Sequence, residues 1–174
     1  MTTFNLRRLR LRSGEQLRER VEVEIEPLVL GGQQYRPEPA TIPAELTVSR
    51  ASSGMLFDLA FRVRLEGPCF RCLADAALEL AIRAREYQAA SPGDDPELRS
   101  PYVHDDVLEL SAWAHDALAL ELPDKILHDP DCAGLCPVCG KDLNVEPHEH
   151  EERAGDPRWA VLEQLRDSAG GGAE

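Results

Sequence analysis

Apolar and polar residues alternate with period two through much of the first half of the chain, which predicts β-strands. In VEVEIE, residues 21–26, Val21, Val23 and Ile25 share one face and the glutamates take the other. AELTVSR, residues 44–50, repeats the alternation with Ala44, Leu46 and Val48 inward, and the Ser-Ser-Gly at 52–54 supplies a turn. Phe57, Leu59, Phe61, Val63 and Leu65 then alternate with Asp58, Ala60, Arg62, Arg64 and Glu66, a run that no 3.6-residue period reproduces. Leu78, Leu80, Ile82 and Ala84 mark another strand, reached through GPCFRCLAD. Two strands so joined predict an antiparallel hairpin whose tip carries Cys69 and Cys72. Residues 31–43, rich in Gly and Pro, read as a connection.

The pattern changes after residue 90. Residues 91–106 are rich in Pro and Asp and have no period, as expected of a loop. Asp106 and Glu109 have capping-box spacing before an apolar stripe of Leu110, Trp113, Ala114, Ala117 and Leu118, a helix that Pro123 ends. A second short helix is expected from Asp156 as cap and Pro157 at its first position, with Trp159, Leu162 and Leu165 on one face. The expected class is α+β: one antiparallel β-rich domain, meander or barrel-like, over residues 1–167, with two short helices. Residues 168–174 read as a disordered tail.

Composition narrows the chemistry. Nine aromatic residues among 174 leave few platforms for stacking bases. The formal net charge of −13 lies entirely within residues 94–156, while residues 1–20 are basic through Arg7, Arg8, Arg10, Arg12, Arg18 and Arg20. Most of such a surface repels a nucleic-acid backbone, so contact with RNA is expected to be local and arginine-centred. The plainer reading of the N-terminal arginines is a solvated strand face. No apolar run long enough to span a membrane occurs, and five cysteines, clustered and odd in number, fit a reducing cytoplasmic compartment. P-loop, dinucleotide-binding, nucleophile-elbow and zincin motifs are all missing, so no enzymatic role is expected.

The cysteines carry the chemistry. CFRC pairs Cys69 with Cys72, and CPVCG pairs Cys136 with Cys139, placing Gly140 where a tight turn needs positive φ. Four thiolates in two such turns suit one tetrahedral zinc ion, a closed structural site of zinc-ribbon kind with a long insertion. Iron in a rubredoxin-like site, dithiol redox chemistry and unbound buried thiols are the alternatives. Cys132 reads as a spare thiol or an alternate ligand, and His148 and His150 as solvated residues that can bind metal adventitiously.

Together, CFRCL (69–73), RAREY (83–87), the Pro/Asp-rich loop, LALELP (118–123), CAGLCPVCGKDLN (132–144) and DPRWAVLEQL (156–165) resemble the YceD family, the large ribosomal RNA subunit accumulation proteins. The resemblance runs from about residue 20 to 166. It implies a non-catalytic cytoplasmic factor for accumulation of large-subunit ribosomal RNA, with neither a membrane nor a small-molecule substrate as partner. Cys69, Cys72, Cys136 and Cys139 fall on the family's two knuckles, Cys132 on its preceding cysteine, and Arg71 on the arginine of its first motif. Lys141-Asp142 departs from the small residue that often follows the glycine. The expected partner is large-subunit ribosomal RNA, met by Arg71 and Arg7, Arg8, Arg10 and Arg12, or a basic large-subunit ribosomal protein drawn by the acidic segment. A zinc-ribbon interaction or transcription module and a thiol redox protein are the other readings.

Overall fold

The computed structural model describes residues 1–150 except Pro92 and Asp94. The chain divides into two compact units, Met1–Gly134 and Leu135–Glu174. The first holds strands β1 (Thr3–Asn5), β2 (Gln16–Glu24), β3 (Leu28–Leu30), β4 (Gln33–Pro37), β5 (Thr41–Arg50), β6 (Gly54–Pro68), β7 (Asp75–Ala89), β8 (Val103–His104) and β9 (Val107–Glu109), followed by helix α1 (Leu110–Leu120).

All strand pairings are antiparallel. The larger sheet runs β2-β5-β6-β4-β3, with β7 also on β6, and a small sheet runs β1-β9-β8. The long strand β6 organises the larger sheet. One edge pairs with β7 along its whole length, from Gly54↔Ala89 to Pro68↔Asp75. Its other edge meets β5 between Met55 and Phe61 and β4 at Leu65 and Glu66. Sequence alternation then sets the faces: Ile42, Ala44, Leu46 and Val48 of β5 and Phe57, Leu59, Phe61, Val63 and Leu65 of β6 are buried together. The opposite face is wet and interlaced with charge, through Arg85–Asp58, Arg64–Glu66, Arg64–Glu79 and Arg18–Glu45. Helix α1 packs on β7, β2 and β1, burying the predicted stripe Leu110, Trp113, Ala114, Ala117 and Leu118.

The α+β expectation with two short helices is corrected. The described residues are mostly antiparallel β-sheet with α1 as the one α-helix among them, and the helix expected from Asp156 to Leu165, like the tail, lies outside them. The expected capping box fails because Val107–Glu109 pairs with β1, so α1 starts at Leu110 with no side-chain cap. Residues 31–43 are not a plain connection: Leu30↔Gln33 closes a two-residue hairpin on Gly31 and Gly32, at φ 59° and 81°. Both positions of such a turn need positive φ, which glycine adopts freely. Of the N-terminal arginines, Arg18 and Arg20 are exposed on strand β2, as a solvated strand face requires, but the earlier ones are not on a strand. Arg7 and Arg8 lie in a 3-10 turn over Leu6–Arg8, and Arg10 and Arg12 in the segment after it. No helix among the described residues is long and apolar enough to cross a membrane.

Candidate metal centre

The β6–β7 hairpin ends in the first cysteine turn. Cys69 N–H donates to the Ala74 carbonyl at 2.7 Å and Leu73 N–H to the Cys69 carbonyl at 3.0 Å, with Leu73 at φ 65°. In the second unit, Cys136 N–H donates to the Lys141 carbonyl and Gly140 N–H to the Cys136 carbonyl, both at 2.8 Å, with Gly140 at φ 73°. The two knuckles are thus one turn built twice, each with its fifth residue left-handed. Glycine fills that position without strain in one; in the other it falls to a leucine, for which the conformation costs about 1–2 kcal/mol.

Each knuckle gathers its own donors. Ligand atoms of Cys69, Cys72, His128 and Cys132 all lie within 4.8 Å of one another, and so do those of Cys136, Cys139, His148 and His150. In place of the single four-cysteine, zinc-ribbon-like site expected on Cys69, Cys72, Cys136 and Cys139, the donors that gather within each unit are these two Cys/His sets. At the first, the chain returns over the hairpin tip after α1. Phe70 N–H donates to the Ile126 carbonyl at 2.8 Å, and Arg71 Nη1 donates to the Cys132 carbonyl at 2.6 Å. That return brings Cys132 Sγ to 3.8 Å from Cys69 Sγ and His128 Nδ1 to 3.3 Å from Cys72 Sγ. Cys132 thus joins the first set and is no spare. His128 escaped the sequence reading; its three-residue gap from Cys132, HDPDC, is the ligand-like spacing that could have found it.

Electrostatics favour a cation at the first set. Burial pushes the Cys69 thiol up, but hydrogen bonds from His128 and from the backbone N–H groups of Cys72, His128 and Arg71 outweigh it and bring it down to about 5. Cys72 goes up to about 11, chiefly by burial, with Cys132 and the charge of Cys69 adding and the Ala74 backbone opposing. Thiols crowded so that one ionises at its neighbour's expense are relieved by a positive ion among them. Tyr35, fully buried, seats the knuckle from beneath by donating to the Pro68 carbonyl at 2.9 Å. Three thiols and one imidazole fit a closed, four-coordinate soft-metal site.

At the second set, Val138 N–H points at Cys136 Sγ, 3.4 Å away, and Cys139 Sγ lies 3.1 Å from His148 Nε2. Cys136 comes down to about 6, first through the Cys139 backbone N–H, against burial, with Val138, the Cys139 side chain and His148 adding. All five cysteines carry free thiols. Arg7, Arg8, Arg10, Arg12 and Arg71 are exposed and belong to neither set; Arg7 pairs with Asp106 at 3.3 Å.

An antiparallel β-sheet unit with one Cys/His set, followed by a second unit with another, each set able to bind a metal ion, defines the class of protein. The chain belongs to the YceD family: the model of that family, described as large ribosomal RNA subunit accumulation protein YceD, matches residues 57–166, which include the β6–β7 hairpin from Phe57 onward and both knuckles. Uncharacterized proteins of Mycobacterium bovis and Mycobacterium tuberculosis are each 34% identical over 131 residues, covering 72% of this chain. An uncharacterized protein of Mycobacterium leprae is 29% identical over 130 residues, 59% of its own length. The match spans 62% of the length of the first two relatives. No solved structure matches the chain.

Proposed function

We propose that this protein is a non-catalytic ribosome-biogenesis factor that sustains the accumulation of large-subunit ribosomal RNA, working as a zinc-pinned docking scaffold. One observation carries the reading: the family match over residues 57–166 encloses the cysteine-bearing hairpin from Phe57 onward and both knuckles. Zinc is the ion preferred by donor chemistry, since three thiols and one imidazole complete a closed tetrahedral shell and leave no open position for hydrolysis. The ion would hold the β6–β7 tip to the segment carrying His128 and Cys132.

Charge favours a basic large-subunit ribosomal protein as the partner over bare RNA. Exposed Asp105, Asp106, Asp116, Glu121, Asp124, Asp129 and Asp131 all fall within the acidic stretch. On the sheet's wet face, Arg18, Arg64 and Arg85 are meanwhile paired with carboxylates. An acidic surface of this kind speeds association with a basic protein. The thiol redox reading has less support, because Cys69, whose thiol is brought down to about 5, is fully buried.

The test is depletion in the native host combined with affinity capture at moderate salt. The reading expects large-subunit RNA to fall relative to small-subunit RNA, and capture of at least one basic large-subunit protein. Unchanged RNA ratios overturn the role; capture of precursor RNA after the proteins are stripped overturns the preferred partner.

A further inference from the structure

We propose that the second unit binds a zinc-class ion of its own, through Cys136, Cys139, His148 and His150, so that each chain carries two ions rather than one. This goes beyond the docking role above and does not depend on it.

The second knuckle is built like the first. Its turn repeats the hydrogen bonds of the first, and its N–H groups are directed at Cys136 Sγ as a thiolate ligand requires. His148 Nδ1 lies 2.7 Å from the Glu146 carbonyl, so that nitrogen carries the proton and donates it there. Its Nε2 is left as the acceptor nitrogen, and this is the atom 3.1 Å from Cys139 Sγ. A backbone carbonyl that fixes the tautomer and aims the free nitrogen is the outer-shell arrangement of metal-bound histidines. The His148 and His150 rings lie edge to face with centroids 4.9 Å apart, which brings the fourth donor in.

Among residues 135–150, Cys136 is the one buried apolar side chain. Backbone order there comes from the isolated Leu135↔Asp142 bridge and turns around Cys136 and Asp142. Among these described residues so little apolar surface is buried that a metal ion, which folds small Cys2His2 modules, has a structural part to play. The sites also differ in access. At the first, all three thiols are buried; at the second, Cys139 and His150 are exposed and His148 is half-buried. The second ion is therefore the exchangeable one, open to a chelator or to the metal supply of the surroundings.

The experiment uses the full chain loaded with Zn2+ and desalted. Native mass spectrometry counts the ions, and a chromogenic chelator times their release. The proposal expects two ions per chain, leaving in a fast and a slow phase. His148→Ala together with His150→Ala should leave one ion and abolish the fast phase; the surviving slow phase shows that the first unit is intact. The milder H150A should quicken the fast phase at least tenfold without touching the slow one. One ion in the unaltered chain overturns the proposal. So does a double variant that keeps both ions, or one that loses both together.

Discussion

Replacing Arg71 by alanine separates two roles for that side chain. Its Nη1 donates to the Cys132 carbonyl at 2.6 Å in a partly buried, charge-assisted bond that holds the ligand-bearing segment against the knuckle. Such bonds contribute about 1.5–3 kcal/mol, and the exposure of Arg71 points to the lower end. About 1.5 kcal/mol is about tenfold in an equilibrium constant, which agrees with the roughly 10- to 100-fold loss of metal affinity seen when outer-shell partners are removed. The slow phase of zinc release should therefore quicken about tenfold in R71A. In Arg71→Lys the effect should be smaller, since the charge stays but the planar fork is lost. If R71A binds the large-subunit partner less well and releases zinc at the original rate, Arg71 contacts the partner and the positioning role fails.

Other consequences follow from packing and backbone geometry. A Cβ at Gly67 would stand 2.4 Å from Tyr35 Cδ1, so Gly67→Ala should cost about 1–3 kcal/mol and lower the melting temperature by roughly 2–12 °C; an unchanged melt refutes the close approach. Leu73 is 57% exposed at φ 65°, so Leu73→Gly should leave stability unchanged or raise it by up to about 1 kcal/mol. A larger loss in urea unfolding would mean that the leucine side chain has contacts worth more than its strain. Tyr102 goes up to about 12, through burial first and then the Asp116 carboxylate, to which it donates at 3.0 Å. With the folded value above the unfolded one near 10, its contribution is fully present below pH 10 and lost as pH rises toward 12. Tyr102→Phe should flatten that part of the stability profile, and an unchanged slope refutes the assignment.

The central sheet was legible because its strands have one buried face. Phe57 to Leu65 and Ala44 to Val48 show their buried faces through strict alternation, and CFRC between β6 and β7 marked the tip. The β3–β4 hairpin hid because a connection dense in Gly and Pro masked the Gly-Gly turn signal, although that dipeptide between short strands is itself a hairpin mark. Strand β9 hid because three residues, Val107 to Glu109, are too few to show a period, and their pairing with β1 lies more than a hundred positions away. The metal centre was half legible. Thiol pairs two residues apart announce the knuckles, yet which groups complete each shell depends on where the chain returns. HDPDC spacing could have nominated His128 as a ligand, but that it meets Cys72 depends on the turn after α1, a tertiary fact.

The most direct test of the account is zinc-edge X-ray absorption on the full chain with Cys136→Ser and Cys139→Ser. Those substitutions remove the second knuckle's thiols and leave Cys69, Cys72, His128 and Cys132 in place. The account predicts one retained zinc with three sulfurs at about 2.3 Å and one nitrogen at about 2.0–2.1 Å. Loss of all zinc from this variant would show that the two cysteine pairs share a single ion, and would contradict the account.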